Sequence, residues 1–432
     1  MRPAERRKIT VAQCGPGTVL AALAVAALAL TGFSSATAAT SVYSSARSTA
    51  MGGAFTALAR GVNAPRYNPA NLGLLSFRAR GVELVSVGIG VTNNTFSLSD
   101  YNDYTGAVLS TADKQEILDK VPAEGLSVDA DVRASALTVA LGSFAVSFNG
   151  FGSADISLNR DLVKLLLNGN VFADSIEIAG SQAEGVSYAT AELSYGFPIH
   201  TRGSRQLAVG LTAGYVRGIA VEKLVELEGL AATLATGIEG HGKAVIRTAE
   251  GGAGYKLDLG AVLKFNDSYA AGLRLENLLS RIVWNKGCRE HSYIFSFDTA
   301  AINPFDEDYV TSEDYSVETD NFSTTLPASL NAGFGKTSGR LLWAVDWVQG
   351  FRTAPGVSTK PRLAAGAEYS VFSFLPLRAG FMVGGDRNPG LSFGGGLAFS
   401  GFYLDLAVVT GTSFTVYSAR GANLSISTGL HF

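Results

Sequence analysis

The chain has 432 residues, a formal charge of −3 and only 16% charged residues, well below the roughly 25% of an ordinary soluble domain. No basic excess is available for nucleic acid or for an anionic lipid surface, and the length suits either two or three soluble domains or one large barrel. Fifty glycines, 24 phenylalanines and 15 tyrosines fit β-structure that bends and faces something apolar.

Residues 1–39 read as an export signal. Arg2, Arg6, Arg7 and Lys8 form a positive start, "TVLAALAVAALAL" a short apolar run, and "ATA" at 36–38 a small-residue cleavage site ending at Ala38. The apolar run is shorter than the ~20 residues needed to span a membrane. Cys14 precedes it, so Cys288 is the one cysteine expected in the mature chain; there is no disulfide framework and no CxxC metal pair. After residue 40 no apolar run is long enough for a spanning helix. The mature chain is therefore either soluble or crosses a membrane as strands.

Residues 40–78 have no period of two. Small residues dominate, and Gly52, Gly53, Pro65 and Pro69 break regular structure. The segment is expected to be a compact plug, with residues 79–432 forming the barrel.

From residue 80 onward, alternation takes over. In "GYKLDLGAVLKF" (254–265), Tyr255, Leu257, Leu259, Ala261, Leu263 and Phe265 share one face, and Lys256, Asp258 and Lys264 the other. Ten steps of ~3.3 Å at a tilt of ~40° rise roughly 25 Å, the apolar band of an outer-membrane barrel. A slip of one residue would put both lysines into lipid, at ~2–4 kcal/mol for one near the midplane. Fourteen such strands are expected, near 80–92, 130–141, 143–152, 185–198, 206–219, 254–265, 268–280, 327–337, 340–351, 361–371, 374–384, 391–400, 401–410 and 423–432. Their connections alternate long and short, as in a barrel inserted from one side. The fold class is thus all-β: a 14-stranded antiparallel transmembrane barrel with an N-terminal plug. Fourteen strands make a barrel wider than the eight that side chains fill, so an unplugged one would leak.

The long connections carry helical signals. Ser110 and Asp113 fit a capping box and Pro122 a stop. "NRDLVKLLLNG" reads as a helix from Asn159 to Gly169. Residues 220–237 also read as a helix, with Leu224, Leu227 and Leu234 on one arc as candidates for capturing an apolar ligand. Residues 298–320 hold eight acidic residues and no Lys or Arg; a solvated acidic loop explains them better than a divalent-ion site. Gly150 and Gly152 lie in the third strand, where glycine marks a bend as readily as ordinary strand. The four histidines are scattered and no nucleophile or HExxH signature occurs. An enzyme is not expected, nor a metal or other cofactor.

The last strand, "NLSISTGLHF", is two-faced to its final Phe432. It must pair with the first, because an open edge in lipid leaves backbone groups unsatisfied. Its terminal aromatic resembles the targeting signal that barrel-insertion machinery reads in the bacterial outer membrane.

"ARSTAMGGAFTALARGVNAPRYNPANLGLLS" resembles the N-terminal hatch of the long-chain fatty-acid transporter (FadL-type) barrels. Gly52 and Gly53 open a small-residue run, and Asn68, Pro69, Ala70 and Leu72 match the NPA-x-L motif. Asn71 stands where those transporters commonly have Gly, and the acidic residue usual between the two motifs is absent. The resemblance implies a barrel in the outer membrane of a diderm bacterium that passes hydrophobic, fatty-acid-like small molecules by diffusion, without a cofactor. Ligand would be caught by the outer loops, pass to a site above the hatch and leave sideways at a kinked third strand. Related PorV-type barrels carry the same motif and serve protein secretion, so the alternative is a barrel that binds protein partners.

Overall fold

The structure, a computed structural model, describes residues 43–77, 80–169, 175–234, 237–298, 310–354, 356–385, 389–411 and 417–432. The expected export signal, its cleavage point at Ala38 and residues 299–309 of the acidic stretch lie outside these residues.

Fourteen strands form the wall, numbered in chain order: β1 Arg80–Asn93, β2 Leu126–Leu141, β3 Phe144–Leu158, β4 Gln182–Arg202, β5 Arg205–Leu234, β6 Gly251–Lys264, β7 Tyr269–Lys286, β8 Ser329–Ser338, β9 Leu341–Gly350, β10 Arg362–Phe372, β11 Leu375–Gly384, β12 Gly390–Phe399, β13 Phe402–Gly411 and β14 Gly421–His431. Each pairs antiparallel with the next, and β14 closes on β1 from Gly81↔His431 to Thr92↔Gly421. The Phe432 amide adds one more bond, 2.9 Å to the Arg80 carbonyl. Closure leaves no edge, so the last strand cannot fray as a free terminus would. Short turns follow the even strands and longer connections the odd ones, which places both ends of the barrel on the short-turn side.

The period-two alternation sets which side meets lipid. On β6, Tyr255 is 54% exposed and Leu259 38%, whereas Lys256 is 8% and Asp258 0% exposed. The charged positions of β9, β10, β11 and β13, namely Asp346, Glu368, Arg378 and Asp405, are likewise buried in the lumen. Leu257 and Leu263 stand in register with Ala213 and Leu207 of β5 on the outward face.

One expectation fails in the outer loops. Residues 220–234 are not a helix: β5, 30 residues long in all, runs on beyond the wall and pairs with the strand Gly237–Ala249. That strand pairs in turn with Arg289–Asp298, which pairs with Val310–Glu318. Tertiary pairing has overridden a local helical preference, which is worth only tenths of a kcal/mol per residue. A one-residue bulge between Leu224 and Glu226 returns Leu224 and Leu227 to one face of the ribbon. The side chain of Leu234 lies outside the described residues. The other loop helices form where their caps stand. Ser110 and Asp113 make a reciprocal capping box on Thr111–Lys120. Asn159 caps Arg160–Asn168, which ends on Gly169 at φ +68°.

Candidate ligand-passage site

Residues 43–77 sit inside the wall as short helical turns: Ala46–Ala50, Gly61–Asn63, Ala64–Tyr67, Pro69–Gly73 and Leu75–Phe77. Ala, Gly and Ser allow turns this tight to press against the backbone of the surrounding strands. Met51, Phe55, Leu58, Leu72 and Leu74 are each at most 2% exposed, and the plug packs on the inner face of the barrel through a main cluster around Met51, Phe55 and Leu58 and smaller ones at Leu72 and Ala50.

The NPANL stretch is its tightest contact. Asn68 caps the Pro69–Gly73 turn, accepting from the Ala70 amide at 3.1 Å. Its amide nitrogen donates to the Ala261 carbonyl of β6 at 3.0 Å. Pro69 sits where a turn's first N–H has no partner to lose. Asn71 donates to the carbonyls of Thr56 and Ala59 at 3.1 and 3.0 Å, tying the two halves of the plug together. The wall beneath is a row of directly paired glycines on three adjacent strands, Gly196, Gly210 and Gly260. A Cβ on Gly210 would lie 2.1 Å from the Ala70 nitrogen, and one on Gly260 2.1 Å from Asn68 Oδ1. Only glycine lets the turn seat against this wall. Gly52 and Gly53 lie several strands round the barrel, at φ +67° and +87°. A Cβ on Gly52 would meet the Phe381 carbonyl of β11 at 2.9 Å. The sequence motif therefore comes to two separate seats, not one cluster.

Buried ions latch the plug to the wall. Arg47 makes a two-pronged pair with Glu368, both bonds 2.7 Å, and Glu368 is shared with Arg378, which also holds Asp405 at 2.7 Å. Asp346 Oδ2 accepts the Phe55 and Thr56 amides at 2.9 and 2.8 Å. Arg66 pairs with Glu83, and its carbonyl accepts from Arg274. Arg274 in turn holds Asp258 at 2.6 Å, beside Lys256 and Glu192. Desolvation offsets much of such a pair's attraction, but removing one partner strands the other. The ions consequently fix where the plug sits more than they add net stability. Sequence alternation places these charges inward; the plug partners of Glu368 and Asp346, 321 and 291 residues away, carry no local signal.

Above the plug lie two cavities of about 150 and 130 Å³ that share Tyr43, Arg133, Glu276, Asn331 and Val348 as lining. Phe151 and Tyr188 pack with ring centroids 4.9 Å apart, and the Arg133 guanidinium lies 4.9 Å from the Phe151 centroid. Aromatic faces at Tyr43, Tyr67, Phe151 and Tyr188 share the smaller cavity with charged groups, among them Arg133, Glu192, Lys256 and Glu276. No cluster of three or more metal-ligating side chains occurs among the described residues.

Other sequence candidates lie elsewhere. Gly150 pairs with Ala134 and Ala189, and Gly152 with Val132 and Ser187, in ladders that run unbroken through β3 on both sides. The wall is closed at the expected third-strand kink; the nearby bulge belongs to β2, between Ser135 and Leu137. Leu227 packs with Leu162, Leu165, Ile176, Ile178 and Phe295. It covers the helix Arg160–Asn168 and does not line an open groove.

No protein-family model and no curated protein matches the chain. Solved structures do match. The Pseudomonas putida toluene transporter TodX aligns at 13% identity over 91% of this chain and 99% of its own, with a TM-score of 0.52. A TodX deletion mutant described as a monoaromatic hydrocarbon channel gives 15%, 90%, 98% and 0.52. A Pseudomonas aeruginosa FadL homologue gives 13%, 91%, 99% and 0.51. In strand number, closure and plug, the chain has the fold of the FadL-type outer-membrane barrels.

Proposed function

We propose that this chain is an outer-membrane channel admitting hydrophobic small molecules by diffusion. The observation that carries this reading is the aromatic and charged cavity held directly above a latched, fully packed plug. A water-filled pore would need neither. Solved structures of like fold are described as a toluene transporter and a monoaromatic hydrocarbon channel, and that resemblance supports the same ligand class here. Ligand would gather among the outer loops, rest in the cavity and pass the seat at Asn68, Pro69, Ala70 and Leu72 when the plug shifts. Gly52 and Gly53 would serve as the second seat. The reading includes export by the N-terminal signal with cleavage near Ala38, recognition of the strand ending in Phe432 by insertion machinery, and no enzymatic activity or cofactor. Mass spectrometry of small molecules extracted from the purified protein tests it. A copurifying fatty acid, lipid or aromatic compound is expected. A stoichiometric protein partner with no such compound would favour the secretion role instead.

A further inference from the structure

The outward face of β5, β6 and β7 carries basic residues where the wall leaves the bilayer. Tyr215, Tyr255 and Arg281 stand side by side in one row of paired residues across these three strands. Both tyrosines are 54% exposed and Arg281 is exposed too, so the row looks outward. One pair of residues further along, exposed Arg217 shares a row with Ala253 and Val283. Beyond it, Lys286 faces Gly251. A Cβ on Gly251 would touch the Lys286 side chain at 3.3 Å, whereas one on Gly252 would meet the buried Trp284 at 3.1 Å, so Lys286 shares the outward face. Counting from Phe265 at the short-turn rim, Tyr255 stands roughly 25 Å up, at the far edge of the apolar band. The three cations therefore lie at headgroup level on the long-connection side.

Basic residues nearby in the outer ribbon are paired, Lys223 with Glu184 at 2.8 Å and Arg247 with Glu290 at 2.6 Å. Arg217, Arg281 and Lys286 differ: among the described residues no carboxylate stands within ion-pair distance of them. A cation on the lipid side is strongly unfavourable at the bilayer centre and tolerated near the interface, where anionic headgroups attract it. Guanidinium forks and an ammonium are the donors that grip phosphate oxygens. Below the cations the wall is apolar, with Leu211, Leu259 and Leu279 exposed. An occupant here meets positive charge at one end and hydrocarbon along the rest, which selects a lipid over a free anion. Beside Arg217 in its row stand Ala189 and then Gly150; these small residues leave that flank shallow enough for a headgroup. The register of the wall also slips at this level, between Ser187 and Tyr188 on β4 and between Gly251 and Gly252 on β6. Past the slip, β5 continues as the outer ribbon.

We propose that Arg217, Arg281 and Lys286 bind the phosphate-bearing headgroup of an anionic outer-leaflet lipid whose chains lie along Leu211, Leu259 and Leu279. The bound lipid braces the wall where β5 leaves the membrane for the outer ribbon. This site is on the outside of the barrel and stands independently of the transport reading.

The test titrates the purified protein, in a non-ionic detergent, with dioleoylphosphatidic acid and reads the bound lipid by native mass spectrometry. Heat-dependent gel mobility verifies that each variant is folded. A basic residue at an anionic surface is worth roughly fivefold in binding. Arg217→Gln with Arg281→Gln should therefore weaken the tightest-bound lipid on the order of 25-fold, and adding Lys286→Gln should weaken it further. The control, Arg202→Gln with Arg205→Gln, removes the same charge from the exposed β4–β5 turn at the opposite rim and should change binding less than twofold. Dioleoylphosphatidylcholine, neutral overall, and inorganic phosphate should each bind at least tenfold more weakly than phosphatidic acid. Phosphatidic acid should also slow hydrogen exchange across residues 215–221 in the wild type and not in the double variant. Unchanged lipid binding in the double variant, an equal loss in the control, or inorganic phosphate held as tightly as the lipid would overturn the lipid site. Exchange across 215–221 that ignores bound lipid would overturn the brace.

Discussion

Gly210→Ala is the sharpest probe of how the plug is held. Its new Cβ would lie 2.1 Å from the Ala70 nitrogen, whereas ordinary contact begins at 3.4 Å. The obstacle is backbone, so the Pro69–Gly73 turn must retreat by about 1.3 Å. A retreat of that size stretches the 3.0 Å bond from Asn68 to the Ala261 carbonyl beyond hydrogen-bond range. Overpacking costs about 1–3 kcal/mol and the lost bond about 1 kcal/mol. Together they shift the docked-to-undocked ratio of the plug by ~30- to 700-fold, at roughly 1.4 kcal/mol per tenfold. The barrel itself should survive, because Gly210 faces the lumen and its pairing is unchanged. The assay is ion conductance in planar bilayers together with protease access to residues 43–77, with barrel integrity read from heat-dependent gel mobility. Gly150→Ala is the control: its nearest neighbour would be 4.0 Å away. Gly210→Ala should leak and expose the plug while Gly150→Ala does neither. A silent Gly210→Ala, or equal leaks from both, would refute the seat.

Three further outcomes are expected. Asp346→Ala orphans the buried Phe55 and Thr56 amides, at ~1–3 kcal/mol each, while Asp346→Asn keeps an acceptor. Protease nicking of the plug should rise clearly in the first and little in the second. Asn68→Ala loses a cap and a wall bond, ~1–2 kcal/mol for the cap alone; it should change uptake of a hydrophobic tracer without blocking membrane assembly. In the outer loops, burial works against the Asp100 carboxylate, but Lys120 and Ser97 outweigh it and hold the group below its ordinary value. A carboxyl lowered on folding supplies stability above its unfolded pKa, and that stability disappears as pH falls through the folded value. Pepsin cleavage within 98–120 should therefore appear only below about pH 4, and Lys120→Met should show the opened loop at pH 6 by trypsin cleavage. A wild-type loop equally protected at every pH would contradict this.

The fourteen strands were legible because each must satisfy lipid on one side and a polar lumen on the other, which imposes a period of two that short windows reveal. The alternation of short connections after even strands and longer ones after odd strands was legible from the same strand pattern. The plug was legible as the place where that period stops, at residues 43–77. Its seat was not. Gly196, Gly210 and Gly260 look like any strand glycines until pairing aligns them, and pairing is non-local. The misreading of 220–234 as a helix has the same root: Leu224 and Leu227 suit either period, and only the partner strand Gly237–Ala249 decides between them. The break in pairing along β7, between Ser329↔Glu276 and Thr324↔Ile282, was hidden too. Asn277 at positive φ and Pro327 opposite it are separated by fifty residues, and neither alone signals a break in a strand.

The central claim is that this barrel carries hydrophobic molecules across an outer membrane. The most direct measurement is the initial uptake rate of a radiolabelled hydrophobic tracer in cells with and without the protein, once its presence in the outer membrane is verified. The account predicts faster uptake with the protein. Equal rates with and without the protein would contradict it.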